Sequence, residues 1–184
     1  MSSLTAKHGS DKAKELFQHT CPLVQASVGQ HFRHSLDHME LAVKIAEKPR
    51  MGGSKTPAQL HYDLRERGCP SEHDMDAAAD RIFNVIHRLE VVSLMDAENS
   101  SLEKQELPVQ ACFMLSGDSD TEYALTSSIG RELGFAAHHA IHHMALVKLI
   151  ATQTVGLTED DLPDGFGRAP STIRFDETGG NTST

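Results

Sequence analysis

Apolar positions along this chain recur at helical spacing in blocks, separated by polar connections that carry the prolines and glycines. The longest block spans residues 126–152, TSSIGRELGFAAHHAIHHMALVKLIAT, where Ile129, Leu133, Phe135, Ala136, Ile141, Leu146, Val147 and Ile150 line one side without a proline to interrupt them. A second helix is predicted over residues 22–47, opened by Pro22 at a first-turn position that needs no N–H. A third is predicted over residues 71–95 on Met75, Ala78, Ile82, Val85, Ile86, Leu89 and Val92, with Ser71 and Asp74 as a start resembling a capping box. A short helix over residues 11–19 has a thin face of Ala13, Leu16 and Phe17.

Between these blocks, residues 107–115 and 121–126 flank a turn at Gly117-Asp118 and read as a β-hairpin that delivers the chain to the last long helix. Residues 48–70 read as a polar connection, with Pro49, Gly52, Gly53 and Pro57 preventing a long helix. From Gly156 onward the chain reads as loop, its first part anchored by Leu162, Phe166, Ile173 and Phe175. The expected organisation is a disordered N-terminus (1–9), a single domain (10–175) and a mobile tail (176–184).

Histidines change this picture. Four of the twelve lie within residues 138–143 and form two pairs at i, i+4, His138/His142 and His139/His143. Residues four apart project about 40° from one another, close enough to hold one ion. On a helical wheel His139 and His143 fall in the middle of the apolar stripe, while His138 and His142 fall on its flank. The second helix also carries histidines on its apolar side, with His34 near the centre and His31 and His38 beside it. Two helices presenting imidazoles from their apolar faces can build a metal site in a helical core. His31 and His38 are read as pocket or hydrogen-bonding residues, either of them able to close the site as a fourth ligand. His87 stands alone on the third helix and reads as surface or packing.

The net charge of −9 argues against nucleic acid or an anionic membrane as the main partner. No apolar run approaches the roughly 20 residues of a membrane span, and the N-terminus lacks the apolar core of a secretion signal. Cys21, Cys69 and Cys112 are too scattered for a disulfide framework or a thiolate zinc site, which fits a reducing cytoplasm.

Four stretches, SVGQHFRHSLDH (27–38), HYDLRERG (61–68), SSIGRELGFAAHHAIHHMAL (127–146) and FGRAPSTIR (166–174), resemble the DinB-like superfamily, which includes YfiT-type hydrolases and bacillithiol transferases. The resemblance implies an up-down four-helix bundle, here with the small hairpin before the last long helix. It also implies a metal triad of one histidine from the second helix and an HxxxH pair from the last, matching His34, His139 and His143 in this sequence.

Three neutral imidazoles leave at least one coordination position open, the pattern of a working rather than a structural zinc site. Bound water would then support hydrolysis, and a bound thiolate would support thiol S-transfer on a small molecule. The competing reading is a non-catalytic metal-binding stress, sensor or scaffold protein. The expected ion is one divalent transition metal, zinc first, with nickel and others open. Asp37 and Glu132 by helix face, and Asp63 by the family motif, are candidates to orient the ligands. Tyr62, Arg65 and Arg67 would line the pocket mouth, Arg65 or Arg67 pairing with Glu132 or an anionic group, and His142 stands beside the site. No residue is placed as a nucleophile. The expected partners are a small-molecule substrate, with a low-molecular-weight thiol among the candidates, and a homodimer is left open.

Overall fold

The computed structural model describes residues 10–47, 56–64, 67–98 and 106–179. The expectations for residues 1–9, for the end of the C-terminal tail (180–184), for much of the 48–70 connection and for Arg65 lie outside the described residues. In chain order the elements are α1 (Ser10–Gln18), α2 (Val28–Ala46), β1 (Ala58–His61), a 3-10 turn (Pro70–Glu72), α3 (Met75–Glu98), β2 (Pro108–Met114), β3 (Glu122–Ser128), α4 (Ile129–Gln153), a second 3-10 turn (Glu159–Asp161) and α5 (Pro170–Glu177).

The expected four-helix bundle with a hairpin is corrected by this architecture. Among the described residues five helices accompany a three-stranded mixed sheet in the order β1-β2-β3, which makes the fold α/β. β2 and β3 pair antiparallel, and β1 adds to β2 in parallel, with Leu60 opposite Ala111 and His61 opposite Cys112. The sequence signal for β1 is Ala58, Leu60 and Tyr62 at period two, the spacing of a strand that buries one face. It is easily lost because only four residues pair and prolines and glycines crowd the stretch before it.

Two helix starts also differ from expectation, each for a capping reason. α2 begins at Val28, because the chain from Cys21 to Ala26 closes a turn with Gln25 at φ 53°. Ser27 and Gln30 then exchange side-chain and backbone hydrogen bonds at 3.2 and 2.9 Å, the S-x-x-Q capping box. α3 begins at Met75, with the Asp74 carboxylate accepting from the backbone N–H of Asp76 and Ala77. The C-terminal stretch read as loop forms α5, opened by Pro170 in its first turn.

The chain divides into two units. The first holds described residues 10–33, 69–78 and 139–179. In it, Ala13 and Phe17 of α1, Val147, Ile150 and Ala151 of α4, and Leu157 are buried. Gly29 of α2 abuts the Pro70–Glu72 turn. A Cβ at Gly29 would run into the Glu72 carbonyl and the Phe17 ring. A Cβ at Gly167, where φ is 70°, would lie 2.8 Å from the Met144 carbonyl on α4. Gly29→Ala is therefore expected to lower stability by about 1–3 kcal/mol, although alanine normally gains up to about 1 kcal/mol over glycine in a helix. Urea unfolding checks this against Gly134→Ala, where a Cβ meets nothing within 4 Å and a neutral or stabilising effect is expected.

The second unit holds described residues 34–64, 67–68, 79–98 and 106–138. Its core is Val43 and Ala46 of α2, Leu60 of β1, Tyr62, Val92 of α3, Val109 and Ala111 of β2, and Ile129 of α4. At its rim Arg81 of α3 forks onto Glu40, with both bonds at 2.7 Å, and also reaches Asp37 at 2.7 Å. Arg88 makes a similar fork onto Glu47 at 2.7 and 2.8 Å. Such bidentate pairs fix the rotation of α2 against α3 more than they add stability.

Candidate metal centre

α4 carries the histidine cluster on a helix whose four-residue spacing sorts the side chains by burial. His138 and His142 are exposed, and His139 and His143 are half-buried. In the first unit the Nε2 atoms of His139 and His143 approach to 3.2 Å, with ring centroids 4.5 Å apart. The other nitrogen of His143, Nδ1, lies 2.8 Å from Nδ1 of His31, which is buried on α2. Burial, and then repulsion from His142, hold the His31 imidazole below the usual histidine range. His142 touches His143 edge-on, with centroids 5.8 Å apart.

In the second unit α2 continues with His34, half-buried, and His38, buried. Nδ1–H of His38 donates to the His34 carbonyl at 3.0 Å, which leaves Nε2 as the lone-pair nitrogen of His38. The His38 ring stacks on Tyr62 with centroids 4.9 Å apart and meets His34 edge-on at 4.6 Å. Tyr62 in turn stacks on Phe113 and meets Phe135 edge-on. His38 and Tyr62 are thus held in an aromatic wall inside this unit.

The carboxylates read as ligand-orienting residues are engaged elsewhere in the second unit. Asp37 accepts from Arg81, and Asp63 accepts from the backbone N–H of Met114 at 2.7 Å. Glu132 is fully buried. It accepts from the Tyr62 hydroxyl at 2.7 Å, the Ser127 hydroxyl at 2.5 Å and Arg131 at 2.6 Å. Burial, and then the bond to Glu132, raise the Tyr62 phenol above its ordinary range. Arg131 was not foreseen as the partner of Glu132; its guanidinium also lies 5.0 Å above the Phe135 ring. Arg67 is exposed. A further pair missed in the sequence is His61 with Glu122, 2.6 Å apart across β2. The parallel addition of β1 creates it, so no local pattern signals it.

No family model matches the chain, and no solved structure matches it. One curated protein is similar: "FK506-binding protein 5" of Rhizopus delemar (strain RA 99-880), 35% identical over 130 residues. The match covers 71% of this chain and 31% of that protein, so the chain spans under a third of its relative's length. The relative's name corrects the expected function. It speaks of binding FK506 and supports neither a metal-dependent DinB-like hydrolase or thiol S-transferase nor a metal-binding stress or scaffold protein, so those readings are set aside. Among the described residues no helix is long and apolar enough to cross a membrane.

Proposed function

We propose that this chain binds one divalent transition metal, zinc first and nickel as the alternative, through His139 and His143. The observation that carries the reading is the 3.2 Å between the Nε2 atoms of His139 and His143. Two tetrahedral zinc ligands at about 2.05 Å from the ion stand roughly 3.3 Å apart, so this pair is already spaced for one ion. Neutral imidazoles suit zinc and nickel, and a histidine pair leaves coordination positions for a small-molecule ligand. A small-molecule partner also agrees with what the name of the relative says of that protein.

Elemental analysis of purified, untagged protein tests this, with about one zinc or nickel per chain expected. No metal after dialysis against both ions would overturn it. Chelation of the loaded protein is expected to lower the melting temperature. An ion present at 1,000 times its Kd stabilises the fold by about 4 kcal/mol, roughly 10 °C for a domain of this size.

A second reading comes from the relative's name: a ligand of the FK506 type, and the peptidyl-prolyl isomerase function that such a name suggests. Within the first unit an apolar cleft of about 140 Å³ lies among Leu16, Phe17, Phe32, Val147, Leu162 and Phe166. Drug-sized ligands occupy sites of roughly 300–1,000 Å³, which places this reading second. Titration with FK506 and a prolyl isomerisation assay decide it. Saturable binding together with isomerase activity would move it first.

A further inference from the structure

The nitrogens of His31 and His143 that face one another are both Nδ1, 2.8 Å apart. At that distance two N–H groups would collide and two lone pairs would repel, so one proton lies between them. If it belongs to His31, neutral His143 must carry its own proton on Nε2, the nitrogen aimed at His139. If it belongs to His143, Nε2 of His143 carries a lone pair, which faces Nε2 of His139 at 3.2 Å. An ion held at Nε2 of His143 leaves no place for a proton on that nitrogen, so with the ion bound the shared proton is the Nδ1–H of His143 and His31 accepts it.

We infer that His31 is a positioning residue that accepts the Nδ1–H of His143 and so presents Nε2 of His143 to the metal. This rests on the metal-binding reading above. A metal-ligating imidazole commonly donates its other N–H to a carboxylate, a carbonyl or water, which fixes both tautomer and ring orientation. Here a neutral histidine on α2 fills that role. A carboxylate would also attract the cation electrostatically; an imidazole fixes the tautomer without adding charge. His142, although adjacent in sequence, touches His143 by its ring edge and is exposed, so it does not serve this purpose.

The test is titration of metal-free full-length protein with zinc chloride against a competing chelator, for the wild type, His31→Ala and His31→Asn. It is joined by nitrogen-15 and proton spectra of the zinc-loaded histidines. Expected results are one zinc per wild-type chain and about 10–100-fold weaker binding in the alanine variant. The asparagine variant, whose amide oxygen can accept from Nδ1–H, should recover most of that loss. In the zinc-loaded wild type His143 should show a slowly exchanging Nδ1 proton. If the wild type takes up no zinc, the metal reading falls and this inference with it. If the wild type binds zinc and the inference is wrong, the alanine variant matches the wild type, the asparagine variant is as weak as alanine, or the His143 proton is found on Nε2. Should the alanine variant fail to fold, the asparagine variant and the wild-type spectra decide the matter alone.

Discussion

Replacing His139 or His143 with alanine is expected to abolish stoichiometric metal binding, while His142→Ala and His138→Ala leave about one ion per chain. All four residues lie within six positions of one helix, so composition, charge and helix propensity change almost equally in the four variants. Only geometry separates them. The rings of His139 and His143 converge at 3.2 Å and are half-buried, whereas His138 and His142 are exposed. An exposed imidazole can still take up metal weakly, so the readout is the stoichiometry after gel filtration, measured by elemental analysis. Full retention of metal by the His139 variant would sink the assignment. Loss of metal from the His142 variant would shift the ligand set to the flanking register.

The second large effect is on stability. Glu132→Leu is expected to cost about 2–4 kcal/mol, measured by denaturant unfolding. It leaves the Tyr62 hydroxyl, buried at 1% exposure, without its acceptor and removes the charge-assisted bonds from Ser127 and Arg131. Glu132→Gln keeps the shape and an acceptor for Tyr62, so a smaller loss of about 1–2 kcal/mol is expected. Arg131 is more than half exposed and regains water in either variant, so little of the cost comes from it. A pH signature accompanies this network. The Tyr62 phenol is raised above the ordinary tyrosine range in the folded protein, so only the unfolded chain loses that proton near pH 10. Stability from this group is therefore complete below pH 10 and falls as pH rises above it. Tyr62→Phe should remove that alkaline slope. An unchanged slope would mean that another group causes it.

The two results draw on parts of the molecule that were not equally legible in the chain. Helical period and histidine spacing were enough to locate the long helix of α4 and to sort its histidines between the apolar stripe and the flank. Both are properties of one helix, and a helix places side chains by sequence separation alone. The apolar faces of α2 and α3 were legible for the same reason, although their first turns were not. There Ser27 with Gln30, and Asp74, decided the start through hydrogen bonds that compete with other starts equally permitted by Pro22 and Ser71.

The tertiary structure alone decided the mixed sheet, the partners of the acids and the contact of His31 with His143. β1 becomes a strand because β2 offers it a parallel edge, and four paired residues carry too little local preference to announce it. Glu132 is buried, and its partners come from Tyr62, 70 positions earlier, and from Ser127 and Arg131 beside it. Asp37 points along α2 to Arg81, 44 positions later. His31 meets His143 across 112 positions of chain. Spacing along one helix is a short-range quantity and survives in the sequence. A hydrogen bond between distant segments depends on how those segments pack, and that information is held by no single stretch of residues.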